Sequence, residues 1–451
     1  MPNSTTLQGT ESESRGRMQD SHLGKQVDKL SYALDIAMNS SVQTPYGTVP
    51  LTSALASNDI QIVKPAIMLL NNLKRKMEPI LTSDQRFPGA VNYILKTESG
   101  RKGIYPANCL EALLHRAKAS GCTSEAITWL QRVIAADNSN VLLIETLWGL
   151  SIHEPLQLTE AIQLLPIAQL PESAQKKFFT PGADRGIKRS WTVPRIVSDA
   201  PGGALVGTLK LQHAVQKYEI GQKHWDELAH DRDAIAALKK EFHDISLIMT
   251  LAGPSPVIGT AIWMEYEDPD LKFYGDFLSA WGTRSIEVVP LTGQCRDSKD
   301  AVKIPAMLSE FHRLDAKTKL QIRVALERFN LALRRGSLGD IAIDLAIALE
   351  SLTGGNETNE VTHKVTTRTT RMLGGDANER NRIRDIVKAT YHYRSSMVHN
   401  GQQPKDSRKI CGLKVDARVI LTQAFSICAD LIKTILHNGT IPDWSEFDIS
   451  H

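Results

Sequence analysis

Cysteine is scarce in this chain, which has five cysteines among 451 residues and none in a Cys-x-x-Cys spacing. An odd, scattered set argues against a disulfide framework and against a zinc site built from cysteines. Such usage is typical of a protein that works in a reducing cytosol. The five positions are Cys109, Cys122, Cys295, Cys411 and Cys428.

Long apolar runs and a strong charge of one sign are also missing. The most apolar short run, 341–349, is interrupted by Asp344 and is well short of the roughly 18 apolar residues of a membrane span. The first 20 residues lack the apolar stretch of a signal peptide. We therefore expect a cytoplasmic protein with no membrane partner.

The net charge of +3 is too small to indicate nucleic acid by itself. No Gly-x-x-x-x-Gly-Lys loop occurs, so nucleotide hydrolysis has no support.

The length and composition indicate a globular protein of several domains. Apolar residues make up 42% of the chain and charged residues 23%, while 451 residues are too many for one compact core. Changes in texture predict five parts. They are a disordered tail (1–25), a helical N-terminal domain (26–140), a mixed α+β domain (141–300), a helical bundle (301–440) and a C-terminal tail (441–451).

Hydrophobic spacing predicts the elements of the first 300 residues. Apolar residues recur at helix spacing in 60–73, 108–118 and 124–136. Short β-prone runs between prolines and glycines predict strands at 141–147, 162–167, 205–211 and 257–263. We also expect one helix at 224–251 and an exposed loop at 181–203.

The C-terminal part has the pattern of a helical bundle. Five helical segments are predicted at 303–336, 338–353, 359–373, 376–400 and 413–437. Each break contains a glycine that can end a helix in a left-handed turn. These glycines are Gly336, Gly354, Gly355, Gly374, Gly375 and Gly401.

The candidate catalytic residues lie in the run 391–401, because it places Arg394 five residues before His399. The sequence of this run is Tyr-His-Tyr-Arg-Ser-Ser-Met-Val-His-Asn-Gly. Arginine is a permanent cation with a planar fork of donors that suits phosphate, and histidine can move a proton near neutral pH. Positions five apart lie about 140° apart on an ideal helix. The two side chains therefore share a face only if the helix distorts or ends there, and Asn400-Gly401 is a natural stop.

These two residue types can cleave RNA without a metal, since the ribose 2′-hydroxyl is the nucleophile. His399 would move protons, an effect of roughly 10²–10⁴-fold. Arg394 would hold the scissile phosphate and stabilise its developing charge. The products would carry a 2′,3′-cyclic phosphate and a 5′-hydroxyl. Ser395 lies four residues before His399 and can orient the imidazole. No metal and no cofactor are expected.

Three features of the last 150 residues resemble the HEPN domain superfamily, in particular its Apea-like branch. They are the segment Ile347-Ala-Leu-Glu-Ser-Leu352, two basic helices (364–372 and 380–388), and the block 391–401 with its arginine-serine and valine-histidine pairs. Asn400 stands where the branch often has glycine. The fold expected is mainly α with an α+β middle region, ending in a HEPN-like helical bundle.

The resemblance implies a metal-independent endoribonuclease, a hydrolase of RNA that acts as a defence or toxin-like effector. It also implies a homodimer through the C-terminal domain, in which two motifs face each other. The upstream domains would sense an unknown trigger. Alternatives are a catalytically inactive HEPN module that binds RNA, a nucleotide or a protein partner, and a purely structural dimerisation domain.

Several further residues are candidates for supporting roles. Tyr391 can stack on a base or donate to a phosphate, and an ordinary packed tyrosine is an equal alternative. Glu350, in an apolar helix, is interpreted as pairing with an arginine of the third or fourth segment. Basic residues at helix spacing form two stripes that can hold RNA phosphates or simply face solvent. They are Lys364, Arg368 and Arg371 on one helix and Arg380, Arg384 and Lys388 on the next, whose side Tyr391 and Arg394 would continue.

Overall fold

The computed structural model describes most of the chain between residues 28 and 450. The described residues are 28–57, 59–87, 93–97, 100–104, 106–179, 201–217, 227–253, 255–278, 282–283, 298–355, 360–401, 403–404 and 407–450. The predicted tail at 1–25 lies outside them. So does the predicted loop at 181–203, except for its last residues.

The N-terminal part combines helices with two small antiparallel sheets. Its elements are α1 (Lys29–Met38), β1 (Ser41–Thr44), β2 (Gly47–Pro50), α2 (Leu51–Leu55), α3 (Ile60–Ser83), β3 (Tyr93–Thr97), β4 (Gly100–Ile104), α4 (Pro106–Ser120) and α5 (Thr123–Ile134). The three predicted helices are confirmed as α3, α4 and α5. The predicted helical N-terminal domain also contains strands that the sequence did not reveal: β1 pairs with β2, and β3 pairs with β4 and with β9 (Val215–Lys217).

The middle region is mixed α+β, as predicted, and an antiparallel sheet lies at its centre. The elements are β5 (Ser139–Trp148), β6 (Leu156–Gln157), β7 (Ile162–Leu165), α6 (Ala174–Phe179), β8 (Gly203–Leu211), β9, α7 (Glu227–Met249), β10 (Ile258–Tyr266), α8 (Pro269–Leu278) and β11 (Gly282–Thr283). The strand order is β11-β10-β5-β8-β7-β6. Each of the four predicted β-prone runs overlaps a strand, and the predicted helix at 224–251 corresponds to α7.

Helices form most of the C-terminal part. The elements are α9 (Ile304–Arg313), α10 (Ala316–Arg334), α11 (Leu338–Thr353), α12 (Val361–Leu373), α13 (Ala377–Asn400), β12 (Arg408–Ile410), β13 (Leu413–Val415), α14 (Ala417–Asn438) and α15 (Trp444–Ser450). The predicted segments at 338–353, 359–373 and 376–400 are α11, α12 and α13. The segment predicted at 303–336 is instead two helices, because Asp315 accepts hydrogen bonds from the first turn of α10.

Two predictions about the last helices are corrected by the structure. The segment predicted at 413–437 starts with a strand, and its helix begins only after Asp416, which caps α14. The predicted C-terminal tail at 441–451 contains the short helix α15. Among the predicted glycine breaks, Gly401 has the left-handed φ expected of a helix stop, 62°, but Gly336 does not have a positive φ.

The boundary predicted at residue 300 does not divide the apolar core. Phe242 of α7 and Phe329 of α10 belong to one continuous cluster, which extends from the central sheet into the C-terminal helices. The side chain of Asn330 also donates to the carbonyl of Val257 at 2.9 Å. The sheet and α7 therefore act as a support for the C-terminal helices.

Among the helices that the structure describes, one, α14, is long and apolar enough to span a membrane by length and composition alone, and 56% of its most apolar window is buried inside the protein. It packs against α10, α11, α12 and α13. The run 341–349, predicted as the most apolar short run, lies in α11. Burial among other helices is typical of the core helix of a bundle.

Candidate functional site

One long helix, α13, carries both Arg394 and His399, and it continues through both residues to Asn400. Asp376 caps its first turn, and Gly401 ends it. Since the helix does not end between the two candidates, they lie about 140° apart around its axis. The expected turn of His399 towards Arg394 at the helix end is therefore not present within one chain.

The end of α13 is held against the start of α11. A Cβ atom on Gly339 would lie 2.7 Å from Sδ of Met397, so the glycine allows this close approach without a shift of the methionine side chain. The side-chain oxygen of Gln403 accepts a hydrogen bond from the Gly339 amide at 3.0 Å. These contacts fix the position of the helix turn that carries Arg394 and His399.

Arg394 lies on the side of α13 that faces α11. Its guanidinium Nη2 is 3.8 Å from Oε1 of Glu350, and 38% of its side chain is exposed. This distance is too long for a direct hydrogen bond, so the pair is a loose ion pair. The predicted partner of Glu350, an arginine of the fourth C-terminal segment, is thus Arg394. The guanidinium can still turn towards a phosphate in solvent.

Tyr391 is buried one turn before Arg394. Its hydroxyl donates to the carbonyl of Ala346 at 3.4 Å, and the side chain is almost fully enclosed. Burial raises the pKa of the Tyr391 hydroxyl, and the nearby charge of Glu350 raises it further. The phenol therefore stays protonated and acts as a donor. Stacking of Tyr391 on an RNA base is excluded in this arrangement because the ring does not reach the surface.

His399 lies in the last turn of α13 and is exposed. Ser395 and Asn400 are exposed as well. Ser395 precedes His399 by four residues, so the two side chains share one face of the helix. The structure records no hydrogen bond between the Ser395 hydroxyl and the imidazole among the residues that it describes. The orienting role of Ser395 stays a prediction.

An exposed stripe runs along α13 and ends at His399. Its members lie within about 60° of one another around the helix axis. They are Arg384, Lys388, Ser395 and His399, and Arg380 is exposed one turn before them. The prediction that Tyr391 and Arg394 continue the basic side is wrong. The early turns of α13 are exposed all round, whereas further along α11 covers the side that carries Tyr391 and Arg394.

The predicted basic face of α12 is covered by α15. Arg368 is 5% exposed, and its Nη2 donates to a carboxylate oxygen of Asp448 at 2.7 Å. Nη1 of Arg371 donates to the Asp448 carbonyl at 3.1 Å. Arg368 also donates to the carbonyls of Thr353 and Gly354, where α11 ends. The prediction that Arg368 faces RNA is wrong, because its guanidinium is buried and already bound to Asp448 and to two backbone carbonyls. Lys364 is partly exposed beside this cluster.

The structure adds a hairpin that the sequence analysis did not find. Strands β12 and β13 are joined by Cys411 and Gly412, whose φ values are 46° and 82°. Two successive positive φ angles are typical of the type I′ turn of tight hairpins. The signal was present in the sequence, since a glycine-containing pair separates Arg408-Lys-Ile from Leu413-Lys-Val. The predicted helical segment 413–437 includes strand β13 and therefore hides this signal.

Among the described residues, no group of three or more His, Cys, Asp or Glu side chains is placed to hold a metal ion. Comparisons with protein-family models, with curated proteins and with solved structures find no match for this chain. The HEPN resemblance therefore stays a prediction.

Proposed function

We propose that this protein is a metal-independent endoribonuclease of the HEPN type, with Arg394 and His399 as its catalytic residues. The observation that carries the proposal is that both side chains reach solvent near the end of one helix. In the turns from Arg394 to His399, Ser395 and Val398 are the residues that lie between these two side chains around the helix axis. A phosphate placed over this short surface is within reach of an arginine and a histidine.

The chemistry requires no group beyond the RNA and these side chains. The 2′-oxygen attacks the adjacent phosphorus and loses its proton to an imidazole. The bond from phosphorus to the 5′-oxygen breaks, and the leaving oxygen takes a proton. Arg394 stabilises the negative charge on the non-bridging oxygens. The fragments end in a 2′,3′-cyclic phosphate and a 5′-hydroxyl.

A homodimer through the C-terminal part completes this site. Within one chain Arg394 leans towards Glu350, whereas His399 lies about 140° further around the helix axis. One histidine also cannot both accept and donate a proton at the same moment. A two-fold arrangement brings His399 of the partner subunit to the same phosphate and supplies the second proton carrier. Val398 is 56% exposed between the two candidates, which suits a contact between copies.

The wider role of the protein follows from the family resemblance. We propose a defence or toxin-like effector in which the N-terminal part and the central sheet respond to a trigger. The apolar core that α7 shares with the C-terminal helices supports such coupling, because it places the sheet, α7 and α10 in one packed cluster. Toxicity on overexpression would then depend on Arg394 and His399.

Cleavage of total RNA in the presence of EDTA tests the proposal, with the end groups of the fragments as the readout. We expect fragments with 2′,3′-cyclic phosphate ends from the wild type and none from His399→Ala or Arg394→Ala. His437→Ala is a matched control, because His437 is an exposed histidine in the last turn of α14. Loss of activity in His437→Ala as well, or cleavage by His399→Ala, would contradict the assignment.

A catalytically inactive RNA-binding module is the second candidate, and one observation favours it. Glu350 lies 3.8 Å from the Arg394 guanidinium and competes with a phosphate for it. The exposed stripe can bind RNA without Arg394. Under this alternative the protein binds RNA but leaves it intact at every protein concentration, and overexpression of the wild type and of His399→Ala has the same effect on cell growth.

A further inference from the structure

The β12–β13 hairpin carries two lysines directly opposite each other. Lys409 and Lys414 form one cross-strand pair, and both side chains are exposed. Side chains opposed in this way start from Cβ atoms about 4.5–5.5 Å apart, and like charges there destabilise the hairpin. Neither ammonium group has an ion-pair partner among the residues that the structure describes.

The hairpin is fixed to the rest of the protein, so the lysines have a defined direction. Ile410 is buried in the apolar core of the C-terminal helices. Side chains alternate along a strand, and therefore the neighbouring Lys409 points to solvent together with Lys414. On the core side the Arg408 guanidinium lies 5.9 Å from the ring centre of Tyr393 on α13. The like-charged pair is part of an ordered surface.

The tip of the hairpin meets the exposed stripe of α13 at Asp385. One carboxylate oxygen of Asp385 accepts from the Cys411 amide at 3.0 Å, and the other accepts from Nη2 of Arg384 at 3.1 Å. Lys388 follows one turn later on the same stripe. The hairpin and the exposed stripe are therefore joined at Asp385, whose negative charge is paired with Arg384. Along the helix axis, the stripe spans about 22 Å from Arg384 to His399.

We propose that this hairpin is an RNA-binding element, in which Lys409 and Lys414 hold backbone phosphates of the strand that the exposed stripe guides to His399. The proposal rests on the function proposed above and adds a second binding element to it. Phosphates between the two ammonium groups remove their repulsion, which makes the pair favourable only with a polyanion present. Leu413 is also exposed on the hairpin, but the lysines and the stripe form a line of charges without the apolar centre that is typical of a protein interface. A protein partner therefore fits less well.

Binding of an uncleavable RNA tests the hairpin separately from catalysis. A labelled single-stranded 2′-O-methyl RNA lacks the attacking hydroxyl, so fluorescence anisotropy against salt concentration measures binding alone. The variant is the full-length protein with Lys409→Gln and Lys414→Gln. The matched control is Lys64→Gln with Lys76→Gln, which removes the same charge from exposed positions of α3.

We expect the hairpin variant to bind on the order of tenfold more weakly near 0.1 M salt, with a salt slope reduced by about 1.4 for two lost phosphate contacts. The control variant is expected to bind like the wild type. The thermal unfolding midpoint of the hairpin variant should equal or exceed that of the wild type, because a repulsion is removed. A lower unfolding midpoint in the variant would show that Lys409 and Lys414 make stabilising contacts, which would contradict the inference that their ammonium groups only repel each other.

Three results would overturn the inference. They are wild-type affinity in the hairpin variant, equal weakening in both variants, and absence of RNA binding by the wild type. RNA cleavage, assayed in parallel, separates the two proposals. If the wild type cleaves RNA and the hairpin variant binds RNA normally, the nuclease proposal stands and the hairpin proposal is wrong. If RNA binding depends on the hairpin but the wild type does not cleave RNA, the hairpin proposal stands and the nuclease proposal is wrong.

Discussion

Single residues around Arg394 decide how the candidate site works. Tyr391 is buried below it and Glu350 lies beside it, so a buried donor and a carboxylate limit where the guanidinium can go. Glu350 is only partly exposed, and its carboxylate lies 3.8 Å from the Arg394 guanidinium. We interpret Glu350 as a positioning residue that keeps Arg394 near the surface between Ser395 and Val398.

Replacing Tyr391 by phenylalanine tests its burial. Tyr391→Phe removes the hydroxyl that donates to the Ala346 carbonyl, and we expect a loss of about 1 kcal/mol in the free energy of unfolding. RNA affinity should be unchanged because the ring is not at the surface. Urea unfolding and binding to 2′-O-methyl RNA measure the two effects. Weaker RNA binding at unchanged stability would instead place Tyr391 in contact with RNA.

Neutralising Glu350 separates positioning from binding. Glu350→Gln removes a negative charge beside Arg394, so we expect RNA to bind about two- to fivefold more tightly. The catalytic rate constant should fall because Arg394 loses its orientation. Steady-state cleavage gives kcat and KM separately, and Glu327→Gln on α10 serves as a control for charge removal. Unchanged kcat and unchanged affinity would show that Glu350 does not act through Arg394.

At the scale of elements, the short helix α15 closes the C-terminal part. Its Asp448 meets Arg368, and the Arg368 guanidinium lies 5.1 Å from the ring centre of Trp444. Since Arg368 also donates to the carbonyls that end α11, α15 is linked to the helix that carries Glu350. The terminal helix therefore has a structural role rather than that of a tail.

Removing the Asp448 charge should destabilise the protein. Asp448→Asn leaves the buried Arg368 without its carboxylate, and we expect a loss of about 1–3 kcal/mol in the free energy of unfolding. The estimate is below that for a fully buried pair because 37% of the Asp448 side chain is exposed. Asp430→Asn, at an exposed carboxylate on α14, is the control. Equal stability of both variants would contradict the structural role of α15.

The same ion pair predicts a pH dependence. The hydrogen bonds from Arg368 hold the pKa of Asp448 below its usual value. The stabilisation is therefore complete above the unfolded pKa of about 4 and is lost as the pH falls through the lower folded pKa. Thermal unfolding between about pH 6 and pH 3 should show the difference between wild type and Asp448→Asn shrinking in the acid range. A difference that is constant over this range would be evidence against the pair.

Local patterns predicted the elements well and the surfaces less well. Helix spacing located α3, α7, α11 and α13, because apolar periodicity is a property of a single segment. It did not reveal that Arg368 is buried, since α15, which covers it, lies about 80 residues further along the chain. Pairing of β3 with β9 was missed for the same reason. Arg394 and His399 lie on one helix, as the predicted segment 376–400 requires, and their separation around the axis follows from the spacing alone.

For the whole molecule, the proposed shared site requires a two-fold contact between two copies at the end of α13. Val398→Asp places a charge in that contact, and we expect it to shift the protein from dimer to monomer in light scattering and to abolish RNA cleavage. Val302→Asp, at an exposed valine before α9, should keep both properties. A wild-type protein that is monomeric at every concentration would contradict the dimer.

Mixing two inactive variants tests the shared site most directly. Arg394→Ala and His399→Ala are each expected to leave RNA intact in EDTA. If Arg394 of one subunit works with His399 of the other, refolding or exchange of the two variants forms mixed dimers in which one Arg394 faces one His399. Cleavage then returns above the level of either variant alone but below about a quarter of the wild-type activity, because the second proton carrier is missing. Wild-type cleavage without any recovery in the mixture would contradict the shared site, and a wild type that leaves RNA intact would contradict the nuclease itself.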